Sequence, residues 1–414
     1  MTSIDTVAPE SVGLAATQID KIPNFLQETY IDSGRIAGCV VAVIRHGQVA
    51  HLSALGKADV ERNIQMSEDS IFRLYSMTKP ITSIALMSLY EDGAFQLTDP
   101  VSRFIPEWAD LEVYVSGEYP NFQTRPVDRE MNIQDLLTHQ SGLTYGFNAD
   151  TDPNATEVAK AYKQLNLGML EIFPQSLEEL ASELGKLPLL FSPGAHWNYS
   201  VSTDVCARLV EIISRKNFKE FIQERILDPV GMTETAYEVP DERLERFTTN
   251  YRPSSGDGLV VYDDPHTSRY RGPVTHYAGG VGLTAPIGDY IKFVKMLLNG
   301  GTHEGQRIIG SRTLEFMSAN HLPEGADMMR HGFPTAIARQ PGFGFGLGFA
   351  RTIDPAQNGV IGNDSIYFWM GAASTTFWVD PKEDIGVIYL TQSILAGLPT
   401  ANDLKALVYP AIMD

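Results

Sequence analysis

A chain of 414 residues suffices for roughly two to three structural units of about 150 residues each, and 43% hydrophobic with 20% charged residues excludes disorder and low-complexity fibre. Its 51 acidic against 32 basic side chains leave a net charge of −19, a field that repels phosphate backbones and excludes nucleic acid as a partner. Cys39 and Cys206 lie far apart, offer neither a CxxC pair nor a disulfide framework, and read as buried thiols.

The first residues, MTSIDTVAPESVGLAATQ, have no basic stretch followed by an apolar one, so they do not read as a secretory signal and a cytoplasmic location is expected. No run approaches the roughly 18 apolar residues of a spanning helix, and no lipidation pattern is present, so no membrane partner is expected. Ile19, Ile22, Phe25 and Leu26 recur at helical spacing and predict a helix over 15–31, stopped at Gly34. Apolar runs at 39–44 and 49–55, joined through His46 and Gly47, predict a hairpin. From Thr82 to about Asn250 the patterns are helical, at 84–90, 133–137, 177–184 and 205–213. Residues 251–277, rich in Pro, Gly, Ser and Asp, predict irregular loops before a helix at 287–298. Strand runs follow at 366–370, 375–379 and 385–390, then a helix over 401–412 that packs beside the first.

The expected fold class is therefore α+β. A sheet-containing region, 1–75 with 270–414, is flanked by the terminal helices and holds an inserted, mainly helical region, 76–269. The cleft between them is the expected active site.

Ser76-Met-Thr-Lys79 is the only S-x-x-K and opens a helix. Three residues apart on a helix, Ser76 and Lys79 share a face, and the serine gains the electropositive helix start. Alone, this pattern reads as an N-capping serine with a solvated lysine. Its company changes the reading. Tyr199 follows an abrupt turn, 192–198, that leads into a helix, a placement that aims a phenol at a cleft. Trp369-Met-Gly371 ends a strand, with Gly371 permitting close approach to a ligand.

Five segments, IFRLYSMTKP (71–80), LLTHQSGL (136–143), FSPGAHWNYS (191–200), GGVGL (279–283) and WMG (369–371), occur in the order seen in serine esterases of the β-lactamase-like group. The chain resembles a family VIII carboxylesterase, the branch beside class C β-lactamases and DD-peptidases, over essentially its whole length. That resemblance implies a β-lactamase/transpeptidase-like fold with an antiparallel sheet. It implies Ser76 as nucleophile, Lys79 as proton relay and Tyr199 as base, with the backbone N–H groups of Ser76 and Ala372 as oxyanion hole. Class C β-lactamases have Tyr-x-Asn where this chain has Tyr199-Ser-Val201, and Lys-Thr-Gly where it has Trp369-Met-Gly371. The amide and the lysine that help to hold a β-lactam carboxylate are thus replaced by Val201 and Trp369. Val201, Trp369 and Gly371 are accordingly taken as substrate-binding, for neutral esters over anionic ones. Met370 stands where the family typically has glycine, which alters the pocket.

No G-x-S-x-G or H-E-x-x-H exists, and the nine histidines are dispersed, with His139 and His196 reading as structural. GVGLTA at 280–285 matches a relaxed dinucleotide fingerprint but follows no convincing strand. GFGFGLG at 342–348 has strand periodicity with one bare face, the mark of a helix packed close against it. The expected reaction is hydrolysis of a small-molecule, short-chain ester through an acyl-enzyme on Ser76, with no cofactor and no metal. Acyl transfer by the same intermediate ranks second, β-lactamase or DD-peptidase activity third, and a catalytically silent binding protein last.

Overall fold

The computed structural model describes residues 4–147, 149–168, 176–254, 256, 258–334 and 339–413. Both ends of the chain contribute to one eight-stranded sheet, as the strand runs predict. In spatial order its strands are Phe343–Phe345, Ala350–Thr352, Tyr367–Met370, Thr376–Asp380, Ile385–Thr391, Gly38–Arg45, Gln48–Asp59 and Ile64–Gln65. Every neighbouring pair is antiparallel.

The apolar, β-branched run of Gly38–Arg45 explains its inner place, because a strand buried at all eight positions needs cover on both faces. Residues 377 and 378 reveal the two covers. Phe377 meets Tyr290 of the helix Ile287–Leu298, with ring centroids 5.3 Å apart. The Trp378 ring lies 5.6 Å from Lys405 Nζ on the C-terminal helix Thr400–Val408. Strand alternation puts these two contacts on opposite faces.

Residues 15–31 are helical in three pieces, Ala16–Ile19, Lys21–Leu26 and a wider turn, Gln27–Ile31. Pro23 has no N–H to give the preceding turn, so the helix restarts at Lys21. The C-terminal helix passes into a tighter turn, Tyr409–Ala411, which carries Pro410. The two ends pack together as expected: Ala15 N–H donates to the Ala411 carbonyl at 2.7 Å, and the Tyr30 hydroxyl donates to Asp403.

Helices Thr78–Glu91, Ile133–Leu137, Leu177–Leu184 and Ser202–Ser214 lie where the periodicity predicts them. The pairings that were not expected include two hairpins: Glu112–Ser116 pairs with Gln123–Pro126, and Asn250–Pro253 with Leu259–Asp263. The second corrects the expectation of irregular loops over 251–277. Its strand LVVYD is β-branched, but the Pro, Ser and Gly around its turn dominate the composition. A third small pairing, Ile71–Arg73 with Thr284–Pro286, leads directly into residues 74–76. Cys39 and Cys206 are buried free thiols. Among the described residues no helix is long and apolar enough to cross a membrane.

The glycine run 342–348 is packed as its bare face predicts. A Cβ on Gly346 would lie 2.1 Å from the Met317 carbonyl oxygen of helix Ser311–Ser318, and one on Gly348 would lie 2.2 Å from Ser83 Oγ. Because the atom facing Gly346 is backbone, Gly346→Ala is expected to destabilise the fold by about 1–3 kcal/mol, the range for overpacking, read as a lowered Tm.

Candidate active site

The helix Thr78–Glu91 is buried at every position from Thr78 to Leu89, so it runs through the core. Lys79 is therefore only 1% exposed and must find partners inside. Its Nζ lies 3.2 Å from Ser76 Oγ and donates to the Gly280 carbonyl at 2.7 Å. The same nitrogen sits 4.9 Å from the centre of the Tyr199 ring and 5.5 Å from that of Tyr145. Tyr199, distant in sequence, is thus brought to the same lysine nitrogen as Ser76.

Each partner is delivered by a specific local device. Ser76 sits in a single tight turn, Tyr75–Met77, that precedes the helix. The Gly280 carbonyl is fixed from behind, since Gly280 N–H donates to buried Asp204 Oδ1 at 2.9 Å in the first turn of Ser202–Ser214. A side chain at Gly280 would strike Asp204 Oδ2 at 2.7 Å, which accounts for the glycine. Tyr199 is held by a seam between residues 139–144 and 194–201. Gly194 N–H donates to the Gln140 carbonyl, Asn198 N–H to the His139 carbonyl and Asn198 Nδ2 to the Leu143 carbonyl, all at 2.8 Å.

His139 packs on Tyr199, ring centroids 4.9 Å apart, and its Nδ1 accepts the Ser200 N–H at 3.3 Å. Burial first, then the nearby Lys79, holds His139 well below the ordinary histidine value. Burial, then Tyr199 and Asp204, pushes the Tyr145 phenol well up. The Tyr199 hydroxyl itself is buried with no hydrogen-bond partner among the described residues.

Ser76 and Tyr199 open on a cavity of about 250 Å³ whose wall includes Tyr145, Phe147, Trp369, Met370, Gly371, Ala372, Leu395 and Leu398. Trp369 stands between Tyr199 and Phe345, with ring centroids at 5.2 and 5.3 Å. Met370, at the strand end, remains 38% exposed at the rim. Gly371 is required by close approach, since a Cβ there would lie 2.4 Å from the Leu74 carbonyl oxygen. The Ala372 N–H has no backbone hydrogen-bond partner among the described residues. Val201 is not brought to the cavity: it is fully buried, its N–H bonded to the Thr144 carbonyl at 3.3 Å, because it begins the turn into the helix.

Sequence reasoning missed Tyr145, Phe147, Asp204 and the 395–401 rim. Tyr145 and Phe147 follow shortly after the motif at 136–143, and an acid inside an apolar helix turn was a signal for Asp204. The rim gave none, because isolated leucines in a loop carry no pattern.

The profile of the beta-lactamase family matches residues 23–408. Protein Rv1367c of Mycobacterium tuberculosis (strain H37Rv) is 33% identical over 369 residues, 87% of either chain. Esterase EstB of Burkholderia gladioli is 28% identical over 399 residues, 91% of either chain. The solved structure of EstCE1, described as a hydrolase with promiscuous acyltransferase activity, superposes with a TM-score of 0.78 at 23% identity and covers 96% of this chain and 99% of that one. At that identity the likeness shows the fold, with its antiparallel sheet and packed helices.

The depressed histidine makes a pH prediction. Unfolded, His139 takes up a proton as pH falls through about 6.5, whereas folded it does so only far lower. Its contribution is full above pH 6.5 and is lost as pH falls from there toward the folded value. His139→Asn keeps an acceptor and suits the left-handed backbone at φ 56°. Between pH 7 and 5 the wild type is expected to lose more of its urea midpoint than this variant. Equal losses would place the acid sensitivity elsewhere.

Proposed function

Because this chain belongs to the beta-lactamase family, we propose that it is a serine carboxylesterase that cleaves short-chain neutral esters through an acyl-enzyme on Ser76. The observation that carries this reading is the 3.2 Å contact of Ser76 Oγ with Lys79 Nζ, beside the buried Tyr199 hydroxyl at the wall of an apolar cavity. Ser76 Oγ attacks the ester carbonyl while the Lys79 and Tyr199 pair takes its proton. The two side chains act as one proton-transfer unit. The negative oxygen is met by the N–H groups of Ser76 and Ala372. The alcohol leaves with the proton, and water then cleaves the acyl-enzyme to acid and free Ser76.

The preference for neutral esters rests on the cavity wall. Among the described residues no arginine or lysine lines it, and Trp369 fills the place where a carboxylate-binding lysine would stand. The apolar wall also favours an alcohol over water as acyl acceptor, which keeps acyl transfer as the second reading. Product analysis with added alcohols separates the two.

Ser76→Ala is expected to abolish hydrolysis with the fold intact, and an organophosphonate should add once, at Ser76, by intact-mass spectrometry. Lys79→Ala and Tyr199→Phe should each lower kcat by several orders of magnitude, with a combined loss far below the product of the two. A labelled serine elsewhere, with Ser76 free, would overturn the assignment.

A chromogenic cephalosporin should show kcat/KM far below that of a p-nitrophenyl ester on the same preparation. Comparable values would mean that groups outside this cavity wall hold the carboxylate.

A further inference from the structure

Tyr75, which directly precedes the nucleophile, has a left-handed backbone, φ 45°. A bulky L residue rarely adopts this conformation, and it persists only where the surroundings enforce it. Two features enforce it here. The ring is buried, packed in a small cluster with Ala278, Val281, Ala373 and Ile394. Its hydroxyl accepts a hydrogen bond from Asn250 Nδ2 at 2.8 Å. Burial also pushes this phenol well above its ordinary value, so it stays neutral.

The neighbours of Tyr75 are informative. Ala278 and Val281 bracket the glycine pair whose carbonyl at Gly280 accepts from Lys79. Ala373 follows Ala372, the residue whose N–H has no backbone partner among the described residues. One side chain therefore touches the lysine's acceptor loop and the segment that faces the nucleophile.

Asn250 closes a circuit. Tyr251 N–H donates to the Gln392 carbonyl at 2.7 Å, and Ile394 N–H returns to the Tyr251 carbonyl at 2.7 Å. Leu395 N–H donates to the Ala372 carbonyl at 2.7 Å, and Ser393 N–H to that of Ala373 at 3.1 Å. Starting from Ser76, the chain of contacts runs through Tyr75 to Asn250, along the 392–395 segment, and back to Ala372. The link between Tyr75 and Asn250 completes this circuit by a side-chain hydrogen bond between two buried residues.

We propose that Tyr75 and Asn250 are positioning residues that set the Ser76 N–H against the Ala372 N–H, so that both reach the same developing oxyanion. This rests on the esterase reading of the cavity. Neither residue touches the reacting atoms. Their effect should appear in tetrahedral species, whose oxygen sits between the two N–H groups, more than in substrate binding.

The test uses the full chain, p-nitrophenyl butyrate as substrate and phenylboronic acid as a tetrahedral ligand of Ser76. Tyr75→Phe and Asn250→Ala are expected to lower kcat about tenfold with KM nearly unchanged, to weaken boronate inhibition in parallel, and to be non-additive when combined. Glycine enters the left-handed region freely and alanine does not, so Tyr75→Gly should be at least about fivefold more active than Tyr75→Ala although it removes more atoms. A pure packing role predicts the reverse order. If Asn250→Ala melts early, Tyr75→Phe, which removes one oxygen, carries the comparison. A folded Tyr75→Phe with wild-type kcat and boronate affinity overturns the positioning role alone, provided wild-type turnover depends on Ser76. A wild type that leaves the ester untouched and Ser76 unlabelled by phosphonate overturns the esterase reading and the positioning role together.

Discussion

Burying the end of a lysine is the constraint around which this site is built. Withdrawing a cationic group from water costs several kcal/mol unless hydrogen bonds and favourable dipoles replace the solvent. At Lys79 the replacements come from four parts of the chain: Ser76 Oγ, the Gly280 carbonyl, and the rings of Tyr199 and Tyr145. Each needs its own support. Asp204 holds the Gly280 loop through its N–H, and the capping box of Asn132 and Asp135 starts the helix that leads to His139. Arg129 clamps Asp135 with two bonds at 2.6 and 2.7 Å. The grouping of Ser76, Tyr145, Tyr199 and the Gly280 loop thus follows from satisfying one buried nitrogen.

The sheet supplies the opposite wall because its strand Tyr367–Met370 ends at the cavity and is braced along its length. Tyr367 to Met370 pair with Val379 to Thr376, and that strand pairs in turn with Ile385–Thr391. Buried Asp380 at the far end accepts from Asn363, Ser365 and Tyr409 at 2.7 to 2.9 Å, tying the strand to the C-terminal turn. A site on a strand braced at both ends holds its geometry better than one on a free loop. The rim at 395–401 is tied at its two ends, by the Leu395 N–H to the Ala372 carbonyl and by the start of the helix Thr400–Val408, while the Leu395 side chain is 62% exposed.

What could be read in advance follows a physical division. The sheet, the terminal helices and the gathering of Ser76, Lys79 and Tyr199 were legible because period-two and period-3.6 burial and the five ordered motifs are local signals. The hairpin at 250–263 was hidden by the composition of its turn, although it carries Asn250. Val201 was assigned to substrate by its place in a motif, yet the backbone turn at that point directs it into the core. Tyr75 could not be singled out, because no sequence pattern announces a left-handed tyrosine. Long-range hydrogen bonds such as those to Asn250 or Asp204 join positions with no shared period, and only the folded chain displays them.

Trp369 does two things that are usually treated apart. On the proposed esterase reading it stands where a cation would hold an anionic substrate, and it fills the gap between Tyr199 and Phe345 with ring contacts at 5.2 and 5.3 Å. Edge and tilted aromatic contacts of this kind add about 0.5–1.5 kcal/mol beyond area burial. His139 packs edge-on against Tyr199, and the seam between residues 139–144 and 194–201 fixes the loop that carries it, so the ring is confined on its other sides as well. A lysine at position 369 would offer a charge for a carboxylate but leave the phenol less confined. On that reading, substrate charge and the rigidity of Tyr199 are both set by one side chain, and a change that introduces anion binding at this position must also rebuild the support of Tyr199.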